Sequence, residues 1–392
     1  MTEATVDFLC EFKDPSSSSV NLVFSEFLAE DRGARSFSFR HILAGMTSNI
    51  IYIKDRKNQW YNRGVIGLGD DIPSVAISLQ KLIAKNGFSQ VRCLGTSMGG
   101  YAALLFGMEL KASSILAMAP QTFLSAPYPR FDQRRHSGEY VDLSIFERPP
   151  SPATTVVIGA DEPFDLYSLL RLGYWPDLNI RVIKGATHLV ARKLNDLNLF
   201  RSLLSAFVEN GENVDLKSAS LERNLGDLQK EVILAAEGMF KNDGATAVLA
   251  LKSLVEKSPE WAGAHYWLGR ALKQEQDYFH AASSLTRAVE LNPTLYDAAS
   301  ELSTVLTEQG DWKGALSAAL AAWNQNQFFN GVRDRALSNA LDAIEGMPFA
   351  QRMYEGRQLL DELDLISSHE DIVAHPVRKK LELLVQQGSS TT

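Results

Sequence analysis

Along residues 1 to about 208 the chain alternates short, nearly continuous apolar runs with longer stretches of helical period. The apolar runs cover 6–12, 20–24, 49–54, 90–94, 113–119, 154–158 and 179–183. Runs with so little polar alternation mark strands covered on both faces, as in a parallel sheet. Helical stretches lie between several of them, at 72–85 (closed by Asn86-Gly87) and at 97–110, and a last one at 190–208 ends the region. The alternation predicts an α/β sheet with helices on both sides. Pro15 followed by Ser16–Ser19 predicts the turn of an N-terminal hairpin.

Glu209-Asn210-Gly211-Glu212-Asn213 is a polar break, and beyond it the strand pattern stops. From about Leu225 the chain reads as helix and repeats itself. Ala247, Ala281 and Ala315 are 34 residues apart, as are Leu234, Leu268 and Leu302. Leu251 and Leu285 keep the same step, and so do Pro259 and Pro293. A period of this length belongs to helix-turn-helix units stacked face to face. Small alanines let paired helices approach, leucines fill between them, and each proline ends its unit. The central unit, with Leu268-Gly269, Tyr278, Ala281, Ala288 and Pro293, resembles the tetratricopeptide repeat (TPR) family. The next unit matches through Leu302, Gly310, Trp312, Ala315 and Ala322, with Ser303 where the family usually has glycine. The first unit matches through Leu234, Ala247 and Pro259. The expected organisation is therefore an α/β domain over 1–212, TPR-like repeats over 225–330 and a helical cap over 331–386.

Composition narrows the partners. With 392 residues, two domains is the natural expectation. The balance of 45% hydrophobic and 22% charged residues suits a globular protein. A net charge of −8 argues against nucleic acid, whose phosphates call for a basic surface. Cys10 and Cys93 both sit in apolar runs, which favours small buried hydrophobes in a reducing compartment over a disulfide. Met1-Thr-Glu-Ala-Thr lacks the features of a secretion signal, and no window approaches the roughly 18 apolar residues of a membrane helix. The expectation is a cytoplasmic protein without a membrane span. No histidine or cysteine pair stands at ligand spacing, so neither metal nor other cofactor is expected.

The chemistry gathers at Gly95-Thr96-Ser97-Met98-Gly99, between the run at 90–94 and a stretch rich in Gly99, Gly100, Ala102 and Ala103. A serine on a sharp strand-to-helix turn needs nearly side-chain-free neighbours two residues before and after it. The turn lifts the hydroxyl clear of the sheet and sets the first helical amides beneath it. Met98 N–H then points where an oxyanion develops. The string Gly95-Thr-Ser-Met-Gly-Gly-Tyr-Ala-Ala-Leu104 resembles small esterase-like members of the α/β-hydrolase superfamily, a likeness spanning about 200 residues. The resemblance implies a catalytic order of serine, acid, histidine, each beyond a later strand. His188 follows the run at 179–183 and becomes the base; Asp161, just after the run at 154–158, is the first candidate acid, with Asp165 as the alternative. In place of the His-Gly or Gly-Gly often found at the oxyanion loop stands Ser25-Glu26-Phe27, so the second donor falls to the Ser25 or Glu26 amide. The N-terminal strands are fewer than in a full-size member, which implies a trimmed sheet.

Between Pro120 and Pro152 the alternation breaks, where this fold often carries a lid. Arg130, Arg134 and Arg135 there could hold a phosphate or carboxylate of the substrate, or equally pair with Asp132 and Glu139 in a solvated loop. Trp60 and Tyr61 either wall the site or cover a core edge. These features imply a serine hydrolase acting on an ester, thioester or amide through an acyl-enzyme, with the repeats serving a protein partner or self-association. An acyltransferase would use the same residues. An interaction scaffold with an inert hydrolase-like domain is the competing expectation.

Overall fold

The computed structural model describes residues 6–27, 37–124, 140–143, 153–172, 178–212, 215–220, 228–325, 330–365 and 378–383. The chain divides into two compact units, Met1–Ala236 and Glu237–Thr392. Seven strands of the first unit are β1 Phe8–Glu11, β2 Ser19–Phe24, β3 Ile50–Ile53, β4 Gln90–Thr96, β5 Ser114–Met118, β6 Ala153–Gly159 and β7 Asn179–Ile183. They form one sheet in the order β1-β3-β2-β4-β5-β6-β7. Every pairing is parallel except that of β1 with β3. The apolar runs in the sequence reflect burial on both faces: all of β3 and β5, and all but the first residue of β2, β4 and β6, are buried.

Among the described residues the helices of this unit are α1 Arg40–Leu43, α2 Ile72–Lys85, α3 Met98–Glu109, α4 Pro163–Arg171, α5 Val190–Asp196 and α6 Phe200–Asn210. On one face Val23, Tyr52, Leu94, Leu116 and Val157 pack with Leu43, Val190, Leu194, Leu203 and Phe207 from α1, α5 and α6. Strand side chains alternate, so Cys93 and Ile115 point to the opposite face, where α3 lies with Gly107 against both.

Two local expectations change. The segment 15–19 is not a hairpin turn, because β1 pairs with β3 and not with β2. Asn49 redirects the chain there: its Nδ2 donates to the carbonyls of Asp14 (2.8 Å) and Ser19 (3.2 Å), and its Oδ1 accepts from Asp14 N. The single helix expected over 190–208 is two, α5 and α6, separated at Asn198, whose φ of 57° is left-handed. Asparagine tolerates that conformation better than most side chains, and it ends the first helix.

The helical series runs α7 Gln229–Phe240, α8 Gly244–Lys257, α9 Ala262–Gln274, α10 Tyr278–Leu291, α11 Tyr296–Glu308, α12 Trp312–Gln325, α13 Asn330–Gly346 and α14 Phe349–Leu365. From α8 to α14 each helix packs on the next. Ala247, Ala281, Ala315, Leu251 and Leu285 are fully buried between helices. Leu234 departs from its series: it is 39% exposed, whereas Leu268 and Leu302 are buried. It sits on the first described helix of the series. A further 34-residue series appears at the helix starts: Asp243, Asp277 and Asp311 accept from the amides of Thr246, His280 and Gly314. Each satisfies an amide that the first helical turn leaves without a partner. Among the described residues no helix is long and apolar enough to cross a membrane.

Candidate active site

Ser97 sits between β4 and α3 with φ 55° and ψ −121°, a region that L-residues rarely enter. Such a conformation costs about 1–3 kcal/mol and persists only where the surroundings over-determine it. Here they do. The Ser97 amide donates to Met118 O (2.8 Å), and its carbonyl accepts from Tyr101 N (3.0 Å). A Cβ on Gly95 would strike the Gly99 carbonyl oxygen, and one on Gly99 would strike that of Phe24 and lie 3.0 Å from Ser25 C. The two glycines of the motif are thus places where backbone touches backbone.

The serine Oγ lies 2.8 Å from His188 Nε2, and His188 Nδ1 lies 2.7 Å from Asp165 Oδ2. With its proton on Nδ1, the imidazole donates to the carboxylate and accepts from the hydroxyl. Asp165 is fully buried and the His188 side chain is 10% exposed. The loop bearing His188 is tied to the end of β6, where Ala160 N donates to Ile183 O (2.9 Å) and Asp161 N to Ala186 O (2.8 Å).

The carboxylate against the histidine is therefore that of Asp165, the alternative acid, and not that of Asp161. The reason lies in α4. Asp161 still belongs to the strand end, its amide engaged with Ala186. Pro163 then starts a helix, and Asp165 falls in its first turn. Proline at the helix start and an acid in the first turn are both favourable there, a signal present in Glu162-Pro163-Phe164-Asp165. The segment after β5 holds α4 in place: Thr122 Oγ1 donates to Ser168 O (2.7 Å), Arg171 pairs with Asp142 (2.7 Å), and the Phe123 and Tyr167 rings meet edge to face.

Of the expected oxyanion donors, Met98 is the first residue of α3, where amides have no intrahelical acceptor. The Ser25 amide is not available for that role: it donates to Ile53 O at 2.8 Å. Glu26 N donates to Ser38 Oγ at 3.2 Å, and Ser25 Oγ accepts from Ser38 N. The two amides hold the β2 and β3 ends and the segment at Ser38 together.

Tyr61 belongs to the core and not to a substrate wall. It is fully buried, its hydroxyl lies 2.9 Å from Ser25 O, and its ring packs on Phe24 and Phe106. Burial pushes its hydroxyl pKa well above the usual tyrosine value. Trp60 is 4% exposed, and its Nε1 donates to Gln121 Oε1 at 2.8 Å. Gln121 lies three residues beyond β5, and its one signal in the sequence is the Pro120-Gln121 pair that ends an apolar run. Arg130, Arg134 and Arg135 lie outside the described residues. Among the described residues no three His, Cys, Asp or Glu side chains gather as a metal site.

No protein-family profile matches the chain, and no curated protein matches it in sequence. Among solved structures, it is similar to a capsule O-acetyltransferase of Neisseria meningitidis serogroup A, with 14% identity, 53% of this chain and 92% of that one covered, and a TM-score of 0.41. It is also similar to an α/β serine hydrolase without a lid from Xanthomonas campestris, with 17% identity, 54% and 91% covered, and a TM-score of 0.34. The TPR2B domain of yeast Sti1 is 18% identical, with 31% of this chain and 99% of that domain covered and a TM-score of 0.30. The chain joins a mostly parallel seven-stranded sheet with flanking helices to a series of packed helices that repeats at 34 residues.

Proposed function

We propose that this chain is a serine hydrolase that cleaves an ester, thioester or amide through an acyl-enzyme on Ser97. One observation carries the reading: the unbroken relay from Ser97 Oγ through His188 to the buried Asp165, with links of 2.8 and 2.7 Å. A serine hydroxyl is a weak nucleophile until a base takes its proton, and the base needs a partner that fixes its tautomer. His188 accepts the Ser97 proton as Oγ attacks the substrate carbonyl carbon. Asp165 orients the ring and stabilises the imidazolium that forms. Met98 N–H, at the positive end of α3, stabilises the oxyanion. The tetrahedral adduct collapses as His188 delivers its proton to the leaving group. Water then repeats the sequence and frees the acid. The substrate is a small acyl compound. This chemistry belongs to the domain over 1–212; the repeats over 225–330 and the cap over 331–386 offer a surface for a protein partner or self-association.

The test is labelling with a fluorophosphonate probe. The unaltered chain becomes labelled, and Ser97→Ala does not. A folded chain that resists the probe, or a Ser97→Ala variant that still takes it, defeats the reading.

A further inference from the structure

Trp60 occupies a place that bears on which acyl groups the Ser97 site admits. Its indole meets two structures that flank β4 from opposite sides. On one side is Phe27, three residues past the end of β2, with ring centroids 6.3 Å apart. On the other is Gln121, three residues past the end of β5, bonded to the indole nitrogen at 2.8 Å. β4 lies between β2 and β5 in the sheet and ends at Ser97. Two strand spacings are about 10 Å, the span of an indole with its polar partner. A side chain that touches residues beyond both neighbours therefore reaches across the carboxyl end of β4.

The side from which it crosses matters as well. Tyr61 packs on Phe24 and Phe106, and Asn62 Nδ2 lies 3.2 Å from the Tyr101 hydroxyl, so this loop reaches the site from the face that carries α3. His188 is followed by α5, which packs on the opposite face. A base that returns its proton to the leaving group has the leaving group on its own side. The side away from His188 is the one that carries the Trp60 loop.

The loop is built to hold the ring still. Asn58, Trp60 and Tyr61 all have positive φ, at 52°, 50° and 61°. The buried Asp55 carboxylate accepts from the amides of Lys57 (3.0 Å), Gln59 (2.6 Å) and Tyr61 (2.9 Å), and Asn62 Nδ2 donates to Trp60 O (2.8 Å). Three left-handed residues in four, gathered on one buried carboxylate, are a costly way to place one indole.

Resting on the hydrolase reading, we infer that Trp60, anchored by Gln121, is the end wall of the acyl pocket and restricts Ser97 to short acyl groups. Longer chains are refused because the ring, fixed at both edges, has no room to turn away.

Two alkyl fluorophosphonates, one ethyl and one octyl, test this without reference to the natural leaving group, since the alkyl group on phosphorus occupies the acyl site. The unaltered chain reacts with the ethyl probe about tenfold or more faster than with the octyl probe. Trp60→Ala shifts that ratio toward octyl by about tenfold, and Gln121→Ala, which frees the indole, shifts it the same way by a smaller factor. Should Trp60→Ala not fold, Trp60→Phe and Gln121→Ala decide. Equal rates with both probes in the unaltered chain, or variants that slow both probes alike, overturn the wall while leaving the nucleophile standing. No labelling by either probe overturns the nucleophile itself.

Discussion

Gly269 in the helical unit and the two glycines beside Ser97 work differently, and the contrast separates a scaffold position from a site. In the helical unit Gly269 lets α9 meet α10: a Cβ there would lie 2.5 Å from Leu285 Cγ and 3.2 Å from Ala281 O. One period later the same place is Ser303, facing Ala315 where Gly269 faces Ala281. Its hydroxyl donates to Ala315 O at 2.7 Å, so the added atoms become a hydrogen bond and the helices stay packed. This place in the repeat absorbs a substitution because its nearest contact is the Leu285 side chain. At Ser97 the contacts are backbone on backbone. Gly95 faces the Gly99 carbonyl and Gly99 that of Phe24, with nothing able to turn aside.

Ser97→Ala tests the site side of this contrast most severely. Activity toward an aryl ester falls by about 10⁴-fold or more, read as kcat/KM, with the fold unchanged by circular dichroism. Asp165→Asn comes next, at about 10³- to 10⁴-fold in kcat, because the imidazole loses its orientation and its counter-charge. Asp161→Asn, at the strand end, changes kcat by less than about tenfold; the reverse ranking would return the acid role to Asp161.

Gly99→Ala and Gly269→Ala then set the two units against each other in stability. The first costs about 3 kcal/mol or more, since a backbone must move. The second costs about 1–3 kcal/mol, since Leu285 has other rotamers. Equal losses in urea unfolding would erase the distinction.

The smallest effect concerns the loop of Trp60. Burial raises the Asp55 pKa above its usual 3.8, although the amides of Tyr61, Gln59 and Lys57 pull the other way. A carboxyl raised in the folded state contributes stability below its unfolded pKa and loses it as pH rises through the folded value. Measured against Asp55→Asn, the unaltered chain therefore loses relative stability on raising the pH from about 3 to about 7. Urea midpoints at several pH values check the slope; a relative gain with pH refutes it.

Much of the site is legible along the chain because two of its parts obey local rules. Ser97 needs a strand, a tight turn and a small-residue helix, all contiguous, and His188 needs a loop after the last strand. Asp165 is less legible: Asp161 and Asp165 follow the same strand and differ by whether the chain curls into a helix at Pro163. Trp60 and Tyr61 are adjacent, yet one reaches Gln121 and the other enters the core, a choice made by the Asp55 carboxylate. Leu234 carries the period of Leu268 and Leu302 but stays exposed where they are buried.

By itself the sequence determined the two periods, the strands and most helices, the repeat register and the Ser97 turn. All of these rest on interactions within a few residues or on a repeated interval. Only the tertiary structure decided which carboxylate meets His188, that the Ser25 amide serves Ile53, that β1 joins β3, and that Trp60 spans from Phe27 to Gln121. Those outcomes depend on groups far apart along the chain, brought together when buried donors and acceptors must all find partners at once.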